Sequence, residues 1–161
     1  MTNLPSDEHW IKYCISLAEK SVDEGDFPFG SIIVKNGIII AEAVNGVIKN
    51  MDISSHAEIL VMKKAQSLLS STDLSGYEIF SNCEPCAMCA LIIRALKFRR
   101  VVFSLPSPNM GGYSKWHILQ DTELENIKPD FAEPPEIVPN LLVEDAIKTF
   151  KRAGWGKMFE I

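Results

Sequence analysis

Apolar positions at the start of the chain recur at helical spacing. Trp10, Cys14, Leu17, Ala18 and Val22 form one stripe within residues 7–23, and Gly25 closes it, which predicts an amphipathic helix. The pattern then turns β-rich. Ser31 to Lys35 and Ile38 to Val44 are separated by Asn36-Gly37, the dipeptide that best suits a two-residue hairpin turn. Helical spacing returns from Ser55 to about Leu69, with Ser54 and Ser55 as candidate N-caps. A short strand is predicted from Tyr77 to Ser81. A helix follows from Pro85 to about Leu96, with Pro85 in the first helical position, where its missing N–H costs nothing. Arg100 to Leu105 reads as a buried strand and Pro106 to Pro135 as irregular chain; Glu136 to Val138 and Leu142 to Arg152 read as a last strand and a last helix. The order hairpin, helix, strand, helix, strand predicts an α/β protein whose two crossovers bring parallel strands together, with helices on both faces of the sheet. No repeat or linker interrupts it, so residues 1–161 read as a single domain.

Composition narrows the class. Hydrophobic residues make up 47% and charged residues 23%, as in an ordinary globular protein. No apolar run is long enough to span a membrane, and Met1 to Lys12 lacks the apolar centre of a signal peptide. Of the four cysteines, three fall in one short run. That reads as metal chemistry in a reducing compartment, so the cytoplasm is the expected location. A net charge of −5 gives no general attraction to nucleic acid. The basic groups Arg94, Lys97, Arg99, Arg100 and Lys148, Lys151, Arg152, Lys157 read as solvated faces.

The chemistry concentrates in His56-Ala57-Glu58 and Pro85-Cys86-Ala87-Met88-Cys89. Cys86 and Cys89 are one helical turn apart and present both sulfurs to one side. His56 completes the set from another element. Two thiolates and one imidazole hold zinc with a fourth position open to water, and Glu58 is spaced to reach that position without being a ligand. Histidine, glutamate and the P-C-x-x-C turn in this order are the signature of zinc deaminases that act on nucleobases. Three other readings use fewer of these residues or more cysteine. A redox CxxC leaves His56 and Glu58 without a role. Cys83 extends the run to C-x-x-C-x-x-C, which suits an iron–sulfur cluster or a closed structural zinc. A core histidine beside packed thiols needs no metal at all.

With these residues in hand, the chain resembles the cytidine deaminase-like superfamily, in the branch of guanine deaminases, cytosine deaminases and tRNA adenosine deaminases. The resemblance runs from about Phe27 to Phe103 and also includes Pro28-Phe29-Gly30 and Asn45. It implies a three-layer α/β/α sandwich around a mixed five-stranded sheet, zinc on His56, Cys86 and Cys89, proton transfer by Glu58, substrate contact by Asn45, and a homodimer. Asp52-Ile53-Ser54-Ser55 departs from the Asp-Pro-Thr-Ala that precedes the histidine in tRNA-editing relatives, and the C-terminal helix is less basic than theirs. These departures favour a small nucleobase or nucleoside of purine metabolism, with guanine preferred and tRNA adenosine as the alternative. A zinc-stabilised partner subunit without catalysis is a third reading, against which the extra carboxylate of Glu58 argues.

Further candidates carry two readings each. Asn45 precedes Gly46 and suits a turn as well as a substrate. Phe27 and Phe29 can stack a base or pack the core. Tyr113 and Trp116 follow Gly111-Gly112, which reads as the hinge of a lid or as plain loop. Trp155 and Phe159 can close the pocket or meet a second copy.

Overall fold

The hairpin forms where the dipeptide places it. Asn36 and Gly37 both take positive φ, 51° and 72°, and join β1 (Gly30–Lys35) to an antiparallel β2 (Ile38–Val44). The structure, a computed structural model, describes residues 3–159, without the side chains of Met158 and Phe159, so the role considered for Phe159 lies outside the described residues. Helix α1 (Asp7–Asp23) precedes the hairpin. After it come a one-turn α2 (Val47–Asn50), α3 (Ala57–Leu69), β3 (Glu78–Cys83), α4 (Ala87–Ala95), β4 (Arg100–Leu105), β5 (Glu136–Val138) and α5 (Val143–Arg152). No helix among the described residues is long and apolar enough to cross a membrane.

The sheet order is β2-β1-β3-β4-β5. Strand β1 is antiparallel to both neighbours, while β3, β4 and β5 run parallel. The sheet is therefore mixed and five-stranded. The crossover through α4 does place β3 beside β4. The crossover through α3 does not pair its strands, because β1 lies between β2 and β3. Alternation along the strands sorts the core into layers. Ile33, Ile79, Val101 and Phe103 pack with Ile59 and Met62 of α3 and Ile93 of α4. Ile32, Phe80 and Val102 face the other way, onto Trp10, Ile11, Cys14 and Leu17 of α1. At the ends of β3 and β4, Cys83 and Leu105 meet Ala146 and Phe150 of α5. The result is an α/β/α sandwich.

The arginines Arg94, Arg99 and Arg100 are each engaged within the fold. Arg100 bonds Asp7, Glu78 and Glu136, tying α1 to three strands, and Arg99 bonds Glu78. Arg94 is 2% exposed. Its guanidinium donates to the carbonyls of Ile118 (2.8 Å), Leu119 (3.4 Å), Asp121 (2.8 Å) and Ala132 (3.2 Å), pinning the irregular stretch after β4.

Candidate functional site: a metal triad beneath an aromatic-walled cavity

Two helices start at the same point. His56 is the N-cap of α3 and Cys86 the N-cap of α4; both have extended backbone and neither side chain caps its own helix. Ser54 and Ser55 are not the caps. They bond Asp52, whose carboxylate accepts from Ser54 N–H (2.9 Å), Ser54 Oγ (2.7 Å) and Ser55 Oγ (3.1 Å), and this turn delivers His56. Pro85 sits ahead of its helix rather than in its first position. The first N–H of α4, on Ala87, is taken by the carbonyl of Met110 at 3.1 Å. Freed from capping, the His56 and Cys86 side chains turn toward each other, and Cys89 joins them from the first turn of α4.

His56 Nδ1, Cys86 Sγ and Cys89 Sγ form a triangle with all three edges 3.6 Å. Ligand atoms at the corners of a zinc tetrahedron lie about 3.5–3.8 Å apart, given Zn–S of about 2.3 Å and Zn–N of about 2.0 Å. The observed spacing and the donor set therefore fit zinc. The hydrogen bond with Cys89, and after it the one with His56, draw the Cys86 thiol well below its ordinary value. The same bond and burial push Cys89 up. A divalent ion bound here displaces the shared proton. Cys83, the last residue of β3, is not in the triangle; burial pushes its thiol well up. The closed-zinc and iron–sulfur readings thus lack their extra ligand among the described residues. Cys14 is fully buried within α1 packing.

Glu58 lies at the floor of a cavity of about 600 Å³, with one oxygen 3.9 Å from Cys89 Sγ and the other accepting from Ser81 Oγ at 3.0 Å. Burial raises the pKa of its carboxyl. Asn45 is 3% exposed and lines the cavity. Its Oδ1 accepts from the Val47 N–H at 3.0 Å, which fixes the amide's orientation and leaves its NH₂ as the group for other partners. Phe29 and Phe27 line the wall, with Phe29 edge-on to Phe150 and to Trp155 at 5.4 and 5.6 Å, and Phe27 5.4 Å from Trp155. Trp155 is thus part of the cavity wall.

Trp116 is not brought to the site. It is 57% exposed, outside the cavity, with Lys115 over its ring. The reason is that Gly111-Gly112 is a packing device and not a hinge. A Cβ on Gly111 would stand 1.8 Å from Glu84 Oε1, and one on Gly112 would stand 2.2 Å from Ala90 Cβ. The chain is clamped there, and Trp116 emerges toward solvent. In the sequence Glu84 stands at the head of the Glu84-Pro85-Cys86-Ala87-Met88-Cys89 motif that carries the resemblance, without an assigned role, while Ser107 and α5 are not singled out as cavity residues. The signal for Glu84 lay in its place directly before Pro85-Cys86; α5 left none, because it reaches the site only through tertiary packing.

Comparison with known proteins agrees with this geometry. Residues 4–105 match the family model described as the cytidine and deoxycytidylate deaminase zinc-binding region. A tRNA-specific adenosine deaminase of Aquifex aeolicus is 34% identical over 120 residues, 74% of this chain and 80% of that protein. The corresponding Bacillus subtilis protein is 32% identical over 144 residues, 88% of this chain and 84% of its own. The guanine deaminase of Bacillus subtilis is 40% identical over 83 residues, covering 51% of this chain and 53% of that one. In solved structures the fold recurs in a chain from work on A-to-I editing by tRNA:A34 deaminases (TM-score 0.77, 24% identity, 88% of this chain and 98% of that). It recurs again in guanine deaminase from Nitrosomonas europaea (TM-score 0.73, 22% identity, 94% of this chain and 86% of that).

Proposed function

The chain belongs to the cytidine and deoxycytidylate deaminase zinc-binding family, a family of zinc-type hydrolases that act on C–N bonds, and from that premise we propose that it removes the exocyclic amine of a purine base. One observation carries the chemistry: the 3.6 Å triangle of His56, Cys86 and Cys89 with the Glu58 carboxylate 3.9 Å from one corner, at the floor of the cavity. Zinc bound by His56, Cys86 and Cys89 would supply Lewis-acid chemistry that makes water a nucleophile near neutral pH. Glu58 accepts the proton of the attacking water and returns it to the ring nitrogen beside the reacting carbon; it then takes the remaining proton of the added hydroxyl and passes it to the amine, which leaves as ammonia while the carbonyl forms. Ser81 holds the carboxylate toward the triad. The apolar wall of Phe27, Phe29, Phe150 and Trp155 keeps bulk water from competing and offers the base a flat face. Asn45 offers its NH₂ as a donor to the substrate.

The relatives support adenosine in tRNA ahead of guanine as the carrier of that amine. The tRNA-specific enzymes match over most of this chain, the guanine deaminase over about half. A specific observation favours a second reading, a free base or nucleoside. Among the described residues the cavity lining holds Glu58 and Glu84 but no lysine or arginine to meet a phosphate. On α5, Arg152 pairs with Glu19 and Asp23, and Lys148 pairs with Asp145. Either reading keeps the same triad and the same proton path.

The deciding experiment incubates purified, zinc-loaded protein with guanine, guanosine, adenosine and a tRNA, following ammonia and base conversion at two salt concentrations. Turnover of tRNA alone, falling steeply with salt, establishes the first reading, since phosphate contacts are lost to counterions. Salt-insensitive turnover of a free base or nucleoside establishes the second. No ammonia from any purine refutes the proposal.

A further inference from the structure

The buried carboxylate of Glu84 has no part in the proton path described above, yet it is among the most heavily bonded side chains in the molecule. It is 3% exposed and lies at the cavity edge, two residues before Cys86. Oε2 accepts from the Ser107 N–H at 2.8 Å. Oε1 accepts from the N–H groups of Tyr113 (3.1 Å) and Ser114 (2.7 Å). The Ser114 hydroxyl lies 2.9 Å from each oxygen and donates to one of them. Three amides and a hydroxyl thus converge on two oxygens, which matches the acceptor capacity of an ionised carboxylate. The N–H dipoles of Ser107, Tyr113 and Ser114 point straight at the carboxylate. Because its lone pairs are used within the chain, Glu84 has little left with which to read a substrate.

What Glu84 holds is a wall. Between Ser107 and Gly111 the chain passes over the cavity, and Ser107, Pro108, Asn109 and Met110 line it. This segment is tied to Glu84 at its entry through Ser107 and just beyond its exit through Tyr113 and Ser114. It is also tied to the metal side. Cys86 and Gly111 form a β-bridge, Gly112 N–H donates to the Pro85 carbonyl at 2.8 Å, and Met110 O caps Ala87. The absence of a side chain at Gly111 is what admits the carboxylate.

We propose that Glu84 is a positioning residue for substrate binding: it holds the 107–110 wall against the ligand-bearing turn, so that the cavity is shaped before the base arrives. This rests on the proposed deaminase reading for its kinetic consequence but not for its structural one. Glu58 then governs the chemical step and Glu84 governs affinity. Preorganisation of this kind appears in KM, because the wall touches ground state and transition state alike.

The test compares Glu84→Gln with Glu84→Asp, and uses Ser114→Ala as a mild third variant that leaves the carboxylate in place. Glutamine has the better shape but brings an NH₂ group against converging N–H donors; aspartate is shorter but accepts only. The expected order of affinity is therefore Glu, then Asp, then Gln. KM for whichever purine the parent turns over should rise about tenfold or more in Glu84→Gln, the worth of lost hydrogen bonds to a charged group. In the same variant kcat should change by less than about threefold and zinc content should equal the parent's. Amide hydrogen exchange at Ser107, Tyr113 and Ser114 should quicken selectively in the glutamine variant and only slightly in Ser114→Ala. Glutamine performing as well as aspartate, or kcat falling while KM stays put, overturns the proposal, and so does loss of zinc. If the parent turns over no purine, the deaminase reading fails separately. Exchange then decides the role of Glu84, and unchanged protection at the three amides refutes it. A glutamine variant that cannot be folded, alongside unaltered exchange and KM in the aspartate and Ser114→Ala variants, also counts against it.

Discussion

Replacing Glu58 by glutamine separates chemistry from architecture. The residue is 4% exposed, and its carboxyl is pushed up by burial, so the charge itself does not stabilise the fold. An amide fits the same space, and its carbonyl keeps the 3.0 Å bond from Ser81. No metal ligand changes. The melting temperature should therefore match or slightly exceed the parent's, with zinc at one per chain. Activity should behave in the opposite way. Glu58 is asked to take a proton and to give it back, and no neighbour replaces it. Among the described residues the only other carboxylate in the lining is Glu84, whose oxygens are occupied by Ser107, Tyr113 and Ser114. Positioned proton transfer is worth ~10²–10⁴ in rate. With two transfers depending on one group, a loss of at least ~10⁴ in kcat is expected, about 5.4 kcal/mol at 1.36 per tenfold. The assay is ammonia release by the zinc-loaded variant beside metal analysis and a thermal melt. Turnover within tenfold of the parent, with zinc bound, would show that the proton travels by another route and would sink the mechanism.

Other predictions follow from the same geometry. Cys86→Ala or Cys89→Ala should abolish zinc retention and lower the melting temperature, because the ion joins the starts of α3 and α4; a chelator should do the same to the parent. Cys83→Ala should keep full zinc, since Cys83 stands outside the triangle; zinc release would make it a ligand. Asp52 is held below the ordinary aspartate range chiefly by the Ser54 hydroxyl and amide. Its contribution to ordering the turn before His56 is thus present above the ordinary value and lost as pH falls through the lowered one. An NMR titration should place its midpoint low, and Ser54→Ala should move it up; an unmoved midpoint contradicts the assignment.

The elements most legible from residues alone were those fixed by local chemistry. Asn36-Gly37 tolerates the paired positive φ that the hairpin needs, so the turn and both strands could be placed from the pattern. The triad was legible because zinc demands particular atoms and spacings, whatever the surroundings. The reading faltered where tertiary structure overrode residue type. Serines are good helix caps, yet Asp52 draws Ser54 and Ser55 into a turn and the cap falls to His56. A glycine pair suggests a hinge, yet Glu84 fills the space that Gly111 leaves. Strand–helix–strand order suggests neighbours, yet β1 slips between β2 and β3. The aromatic wall combines Phe27 and Phe29 with Phe150 and Trp155 from the far end of the chain, a juxtaposition that periodicity does not encode.

Arg94 gives the fold a kind of evolutionary slack. It anchors the stretch between β4 and β5 through the carbonyls of Ile118, Leu119, Asp121 and Ala132. Carbonyls are common to every amino acid, so this anchor is blind to the identities of the side chains it secures. The same helix carries Cys86 and Cys89 at its other end, where identity is everything. One short helix thus pairs a site defined by side-chain identity with a moorage made through backbone carbonyls. Exposed positions of the moored stretch are held by backbone alone, whereas Leu119, fully buried, is also held by its side chain in the core.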